Sequence, residues 1–205
     1  MQLLKGRFFC VSTSITLIEL FRIVWGITGS GERIQDIVDL VCELERDARI
    51  RLKVVVSKAG EQVLRWYGLW TRLAGYVQRL QVETDANVPF IAGPLQVGKY
   101  DLLVVAPLTA NSTAKIAYGV ADTLITNAVA QTLKGPTPVI VFPVDQSLGK
   151  VTTTGPKGEE FKVHVRPIDW DNVERLRGMR GFTVMSSPEE VIEHANSLVQ
   201  EREAL

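Results

Sequence analysis

"DLLVVAPLTANSTAKIAYGVADTL", residues 101–124, joins two unlike pieces. Asp101 to Val105 reads as a strand entering a core. Then Thr109, Asn111, Ser112 and Thr113 place four short polar side chains within five positions, where the strand ends. A plain turn at the surface does not need that many. The same grammar of apolar strand, polar turn and helix recurs on both sides of this stretch. Phe21–Ile27 reads as a buried strand and Thr28-Gly29-Ser30-Gly31 as a tight turn. Ile34, Ile37, Val38, Val41 and Leu44 then fall at helical spacing within about 32–47. Arg51–Val56 is a second strand, ended by Ser57-Lys58, with a short helix near 60–67.

The third strand is Asp101–Ala106, followed by helices near 112–119 and 122–134. Pro138–Pro143 is a fourth, apolar throughout as central parallel strands are. Residues 145–160 read as a Gly/Thr/Lys loop, and Phe161–Arg166 as a late strand. A helix runs from Asp169 to about 177, and Phe182–Met185 is a further strand. Ser187-Pro188-Glu189-Glu190 starts a last helix, with Ser as cap and Pro in the first turn. Residues 68–99, rich in aromatics and turn formers, show no clear element. The alternation predicts an α/β fold: three α/β/α layers around a mostly parallel, Rossmann/flavodoxin-like sheet.

At 205 residues the chain suits one domain, and 46% hydrophobic with 22% charged residues gives it a real core. Basic and acidic residues balance at 23 each, which argues against a generic nucleic-acid binder. No run of about eighteen apolar residues occurs, so no membrane span is expected. Cys10 and Cys42 form no CxxC pair, so neither a zinc site nor a cysteine-ligated cluster is expected within one chain. A reduced, cytoplasmic setting follows, with Cys42 a small core residue. Lys5 and Arg7 before Phe8-Phe9-Cys10-Val11 faintly resemble a signal peptide. Ser12, Thr13, Ser14, Thr16 and Glu19 interrupt the pattern, and a core strand follows at once. Residues 1–20 are therefore read as an extension before a single domain over 21–205.

In parallel sheets ligands bind beyond the carboxyl ends of the strands, and the polar clusters fall there. Gly29-Ser30-Gly31 opens a helix, where backbone amides favour an anion; a ligand-free tight turn is the alternative. The dinucleotide fingerprint is not met: the order is Gly26-x-x-Gly29-x-Gly31, and strand two ends in Val56-Ser57-Lys58 without a carboxylate. A G-x-x-x-x-G-K-[ST] loop does not occur either. A mononucleotide suits the hydroxyls of Ser30, Ser57, Thr109, Ser112 and Thr113, and Asn111 can donate and accept at a flavin edge. Within Thr109–Thr113, one or two residues also suit a cap for the helix near 112–119. Lys58 suits a phosphate, and equally a solvated surface position. Trp66, Tyr67 and Trp70 suit a core, a subunit interface or a place beside a bound ring.

"PLTANSTAKIAYGVADTLITNA" resembles the Pro-Ala-Ser-Ala-Asn-Thr segment of the FMN-binding flavoprotein family that includes the homo-oligomeric flavin-containing cysteine decarboxylases. "GITGSG" and "VVVSKAG" resemble its other two loops, so the likeness runs from about residue 21 to 146. It implies FMN, often at a subunit interface, with Gly29, Ser30, Gly31, Ser57, Lys58, Thr109, Ala110, Asn111, Ser112 and Thr113 around it. The later segment "VTTTGPKGEEFKVHVRPIDWDNVERLRGMRGFTVMSSPEEV" resembles the archaeoflavoproteins, described as homodimers that take electrons from ferredoxin. A sister group, the dihydromethanopterin reductases, carries cysteines for iron–sulfur clusters that this chain lacks.

Two departures argue against decarboxylation. Residues 58–100 hold no histidine, and the decarboxylase Pro-Ala-Met-Asn is replaced by Pro143-Val144-Asp145-Gln146. His164 and His194 stand beside no acidic or nucleophilic motif and read as structural or exposed. The resemblance therefore implies an FMN electron-transfer protein fed by ferredoxin or a similar iron–sulfur donor. It would serve a downstream redox protein and form a homo-oligomer, a dimer or trimer. No catalytic residue is required for that role, because the flavin carries the redox chemistry. The alternatives are a flavin reductase of a pterin-like substrate and a binding module for another phosphorylated ligand, with a decarboxylase further behind.

Overall fold

The computed structural model describes residues 20–204, so nearly all of the expected extension lies outside the described residues. The strands are β1 (Phe21–Ile27), β2 (Ile50–Val56), β3 (Leu80–Val82), β4 (Leu102–Leu108), β5 (Val139–Pro143), β6 (Gly149–Thr154), β7 (Glu160–Val165) and β8 (Phe182–Val184). The first four helices are α1 (Ile34–Arg46), α2 (Lys58–Trp66), α3 (Trp70–Tyr76) and α4 (Ala92–Gln96). The others are α5 (Ala110–Ala117), α6 (Leu124–Thr132), α7 (Pro167–Arg177) and α8 (Pro188–Glu203).

Six strands form one parallel sheet in the order β3-β2-β1-β4-β5-β8. The order runs outward from β1 to β3 and then jumps back to β4, so the switch point lies between β1 and β4. Alternating side chains feed two cores. Ile23, Trp25, Leu52 and Val54 pack with Ile37 and Val41 of α1 and Val191, Ala195 and Val199 of α8. Val24, Val55, Leu103 and Val105 pack with Leu95 of α4, Ile116 of α5, and Ile125 and Val129 of α6. Helices thus cover both faces, the expected three layers. Cys42 is buried in the first of these cores, and burial raises its thiol pKa. Trp25 is fully buried, and its Nε1 donates to the Ala106 carbonyl at 2.8 Å, tying β1 to β4.

Two stretches depart from the sequence expectation. Residues 68–99 hold α3, β3 and α4, so the strand expected as third is β4. β3 has only three residues, too few for any periodicity to register. The expected loop over 145–160 contains β6, which pairs antiparallel with β7 in a hairpin apart from the main sheet. Val151 to Thr154 are β-branched and alternate between half-buried and exposed, which suits an edge hairpin.

Candidate functional site

The site begins with Thr28, the residue after β1. Its Oγ1 donates to the Pro107 carbonyl at 2.7 Å and accepts from the Thr109 N–H at 2.9 Å. Its own N–H meets the same carbonyl at 3.2 Å. This clamp joins the carboxyl ends of β1 and β4 at the switch point and sets where α5 starts. Thr109 then caps α5: its Oγ1 accepts from the Ser112 N–H at 3.2 Å. Ser57 does the same for α2, accepting from the Gly60 N–H at 2.9 Å. The capping role left open for Thr109–Thr113 is therefore real for Thr109, and Ser57 adds a cap at α2; the first amides of α5, at Ala110 and Asn111, stay directed toward the helix end.

Two hollows adjoin along this rim. The larger, about 830 Å³, is lined by Gly29, Ser57, Lys58, Thr109, Ala110, Asn111 and Ser112, seven of the ten expected residues. Ser30 and Gly31 line the second, about 530 Å³, which shares Thr109 and Ala110 with the first. Both volumes suit a small-molecule site. Thr113 is the exception. It is 1% exposed, lines neither hollow, and among the described residues its Oγ1 has no hydrogen-bond partner. The helical turn carries it inward while its neighbours face the rim.

The glycines also have a packing reason that the sequence did not suggest. A Cβ on Gly29 would stand 2.6 Å from the Cβ of Ala59, so the residue lets the loop meet the first turn of α2. A Cβ on Gly31 would collide with the ring and hydroxyl of Tyr67. Tyr67 donates its hydroxyl to the Thr154 carbonyl at 2.9 Å and so fastens the β6–β7 hairpin beside the second hollow. Trp66 is 62% exposed and Trp70 lies under the Arg65 guanidinium at 4.7 Å. His164 and His194 line neither hollow.

Sequence reading missed Glu83, which follows β3 and is 8% exposed. Its carboxylate accepts from the Leu124 N–H at 2.7 Å and the Lys58 N–H at 3.2 Å. One buried acid thus serves the starts of both α6 and α2. A carboxylate just after a short apolar run was the available signal, hidden because β3 itself was not recognised. Asp145 lines the second hollow, and its pKa is raised by burial, then by Asp169 and Glu32, against a smaller pull from Arg166. Gln146 is held in place: its Nε2 donates to the Pro143 and Met185 carbonyls at 2.8 and 2.7 Å, and its Oε1 accepts from Arg177 at 2.5 Å. Among the described residues no group of His, Cys, Asp and Glu is arranged to hold a metal ion, and no helix is long and apolar enough to cross a membrane.

Helix-end amides, hydroxyls and an amide side chain around the larger hollow are groups that suit a phosphate-bearing compound at the switch point of an α/β fold. The chain belongs to the Flavoprotein family, whose model matches residues 12–203. It is 45% identical to an uncharacterized protein of Methanocaldococcus jannaschii, over 84% of this chain and 92% of that one. It is 31% identical to the dihydromethanopterin reductase (acceptor) of Methanosarcina mazei, over 84% of this chain and 98% of that one. Among solved structures it is similar to Burkholderia xenovorans DmrB in complex with FMN, described as a cubic protein cage for redox transfer. That match has a TM-score of 0.76 and 34% identity, covering 89% of this chain and 97% of the other. The cysteine decarboxylase TvaF, at 22% identity and a TM-score of 0.60 over 88% of this chain and 98% of its own, shares the fold.

Proposed function

We propose that the protein is an FMN-dependent oxidoreductase that reduces a dihydropterin-like acceptor. One observation carries this reading: the second hollow, with Asp145 in its wall, opens beside the first and shares Thr109 and Ala110 with it. A protein that only relays electrons to another protein needs no second small-molecule hollow. The likeness to a dihydromethanopterin reductase supports the same reading.

FMN, when bound, supplies one- and two-electron redox chemistry. The chain's residues do the rest. The amides of Ala110 and Asn111 and the hydroxyls of Ser57 and Ser112 suit the phosphate and polar edge of the cofactor. Lys58 adds a cation at the start of α2. Reduction of a dihydropterin C=N bond takes two electrons and two protons. Asp145, whose carboxyl pKa is raised by burial, suits delivery of one of these protons to the substrate nitrogen and recovers it from solvent; the other reaches the C=N carbon together with the electron pair that the cofactor would supply. The electrons come from a reduced iron–sulfur protein such as ferredoxin, in a cytoplasmic setting.

We infer a homo-oligomer as well. Trp66, Val88, Phe90 and Tyr118 are exposed large apolar residues, and the DmrB relative is described as a cage.

Anaerobic turnover tests the function. FMN-loaded protein with reduced ferredoxin and a dihydropterin should yield tetrahydropterin, and Asp145→Asn should lower the yield rate without changing the visible spectrum. Oxidation of the bound flavin by a protein acceptor, with no tetrahydropterin formed, would instead establish a pure electron carrier.

A further inference from the structure

Away from the flavin rim, at the amino ends of the strands, lies a third hollow of about 510 Å³. Arg22, Arg51, Lys53, Arg79 and Lys99 line it, and among the described residues no carboxylate does. In a chain with equal numbers of acids and bases, that is a concentrated positive site. The strand register makes it costly. Arg22 stands directly opposite Arg51, and Lys53 lies opposite Val24 on the same face of the sheet. Like charges facing each other across strands destabilise a sheet.

Folding partners relieve only part of this cost. Arg22 is held by Asp101, whose Oδ2 accepts from the Arg22 N–H at 2.7 Å and Nε at 3.4 Å. Arg51, Lys53, Arg79 and Lys99 form no ion pair among the described residues. Lys53 is half-buried, and burial lowers its pKa. A second feature is apolar: Tyr100 and Pro94 form a wall beside the cations. Burial raises the Tyr100 phenol, while the nearby charges of Arg51, Arg79 and Arg22 pull it down.

We propose that this hollow is a second ligand site, for a small molecule that carries an oligophosphate and a flat ring, a nucleoside diphosphate in its simplest form. Its phosphates meet Arg51, Lys53, Arg79 and Lys99, and its ring lies against Tyr100 and Pro94. Guanidinium groups suit this because they bind phosphate oxygens in bidentate fashion. Other occupants fit less well. Residues 1–19 carry only Lys5, Arg7 and Glu19 as charged side chains, the wrong balance for a cationic groove. The seven residues of β1 separate the hollow from the flavin rim by roughly 20 Å at a strand's rise per residue, so an electron donor docked here would stand the full length of the sheet from its target.

The test is calorimetric titration of full-length, FMN-saturated protein with ADP and, separately, with inorganic pyrophosphate. ADP should bind once per chain beyond the FMN already present, more tightly than pyrophosphate, and more weakly as salt rises. Arg51→Gln with Arg79→Gln should weaken ADP roughly a hundredfold, from two lost charge-assisted hydrogen bonds, with the flavin spectrum unchanged. Both positions are exposed, so folding is not at stake. Lack of ADP binding at millimolar concentration, or binding indifferent to the double substitution, would overturn the proposal. So would dissociation of the oligomer by the same substitutions, which would make the groove a subunit contact, or preference for single-stranded RNA with no affinity for ADP.

Discussion

Thr28→Val removes one hydroxyl and keeps the side-chain shape. Thr28 is 2% exposed, so the change is made inside the fold. The Pro107 carbonyl stays paired, because the Thr28 N–H still reaches it at 3.2 Å. It loses one bond, worth about 1 kcal/mol net. The Thr109 N–H loses the oxygen it donates to at 2.9 Å, and a stranded amide costs about 1–3 kcal/mol. The sum is about 2–4 kcal/mol, with the lower end favoured because Thr109 is half-buried and water can reach it. For a domain of this size that lowers the melting temperature by roughly 5–12 °C, read by circular dichroism on FMN-free protein. The same clamp aims α5, so FMN affinity, followed by quenching of flavin fluorescence, should fall as well. Thr28→Ser keeps both hydrogen bonds and should lie close to wild type in both assays. If Thr28→Val melts within about 2 °C of wild type with unchanged FMN affinity, the clamp does not organise the site. If Thr28→Ser is as damaging as Thr28→Val, the methyl group and not the hydroxyl is what matters.

Asn111→Ala should weaken FMN about tenfold, the cost of one polar contact, while stability of the FMN-free protein stays within about 0.5 kcal/mol of wild type because the side chain is exposed; equal flavin retention after gel filtration would remove Asn111 from the site. Asp145 has a raised pKa in the fold, so the folded protein holds its proton more tightly than the unfolded chain, and stability falls as pH rises from the ordinary aspartate range through the raised value. Asp145→Asn should therefore be more stable than wild type at neutral pH, the gap closing in acid; parallel melting curves across pH would contradict this. Gly31→Ala sets a Cβ against Tyr67 and should cost about 1–3 kcal/mol of stability. In a Tyr67→Ala background the same substitution should cost little, and additive losses in that double-mutant cycle would show that the ring is not the obstacle.

The sheet was legible because its central strands are short apolar runs that end in polar turns, and such runs report themselves whatever packs around them. Phe21–Ile27 and Asp101–Val105 needed no tertiary information. β3 was not legible: Leu80-Gln81-Val82 is too short to show a period, and its place at the sheet edge follows from pairing with Val54 to Val56. The hairpin strand β6 was obscured by its glycine and lysine composition. At the site, positions after strands were readable as a list, and nine of the ten line the two hollows. Their division of labour was not. Thr109 and Ser57 are caps, Thr113 turns into the core, and Gly31 makes room for Tyr67 from another element. Those facts depend on contacts between segments far apart in sequence, which no local pattern encodes.

Glu83 bears on why the rim suits a mononucleotide. Three helices, α2, α5 and α6, begin at or beside the larger hollow, and each N-terminus carries partial positive charge. Left open together, they would favour a ligand with more than one phosphate. The Glu83 carboxylate accepts amides from the starts of α2 and α6, which offsets much of two of those three ends from within the protein. The start of α6 is closed further by Thr123 and Thr126, which exchange side-chain bonds with each other's backbone N–H groups. The start of α5 has no such acid in its first turn, and its cap satisfies Ser112 while leaving Ala110 and Asn111. One open helix end with hydroxyls around it matches a single phosphate. The absence of a carboxylate at the end of β2, which argued against a dinucleotide from sequence, and the presence of one beyond β3 therefore point to the same ligand from two directions.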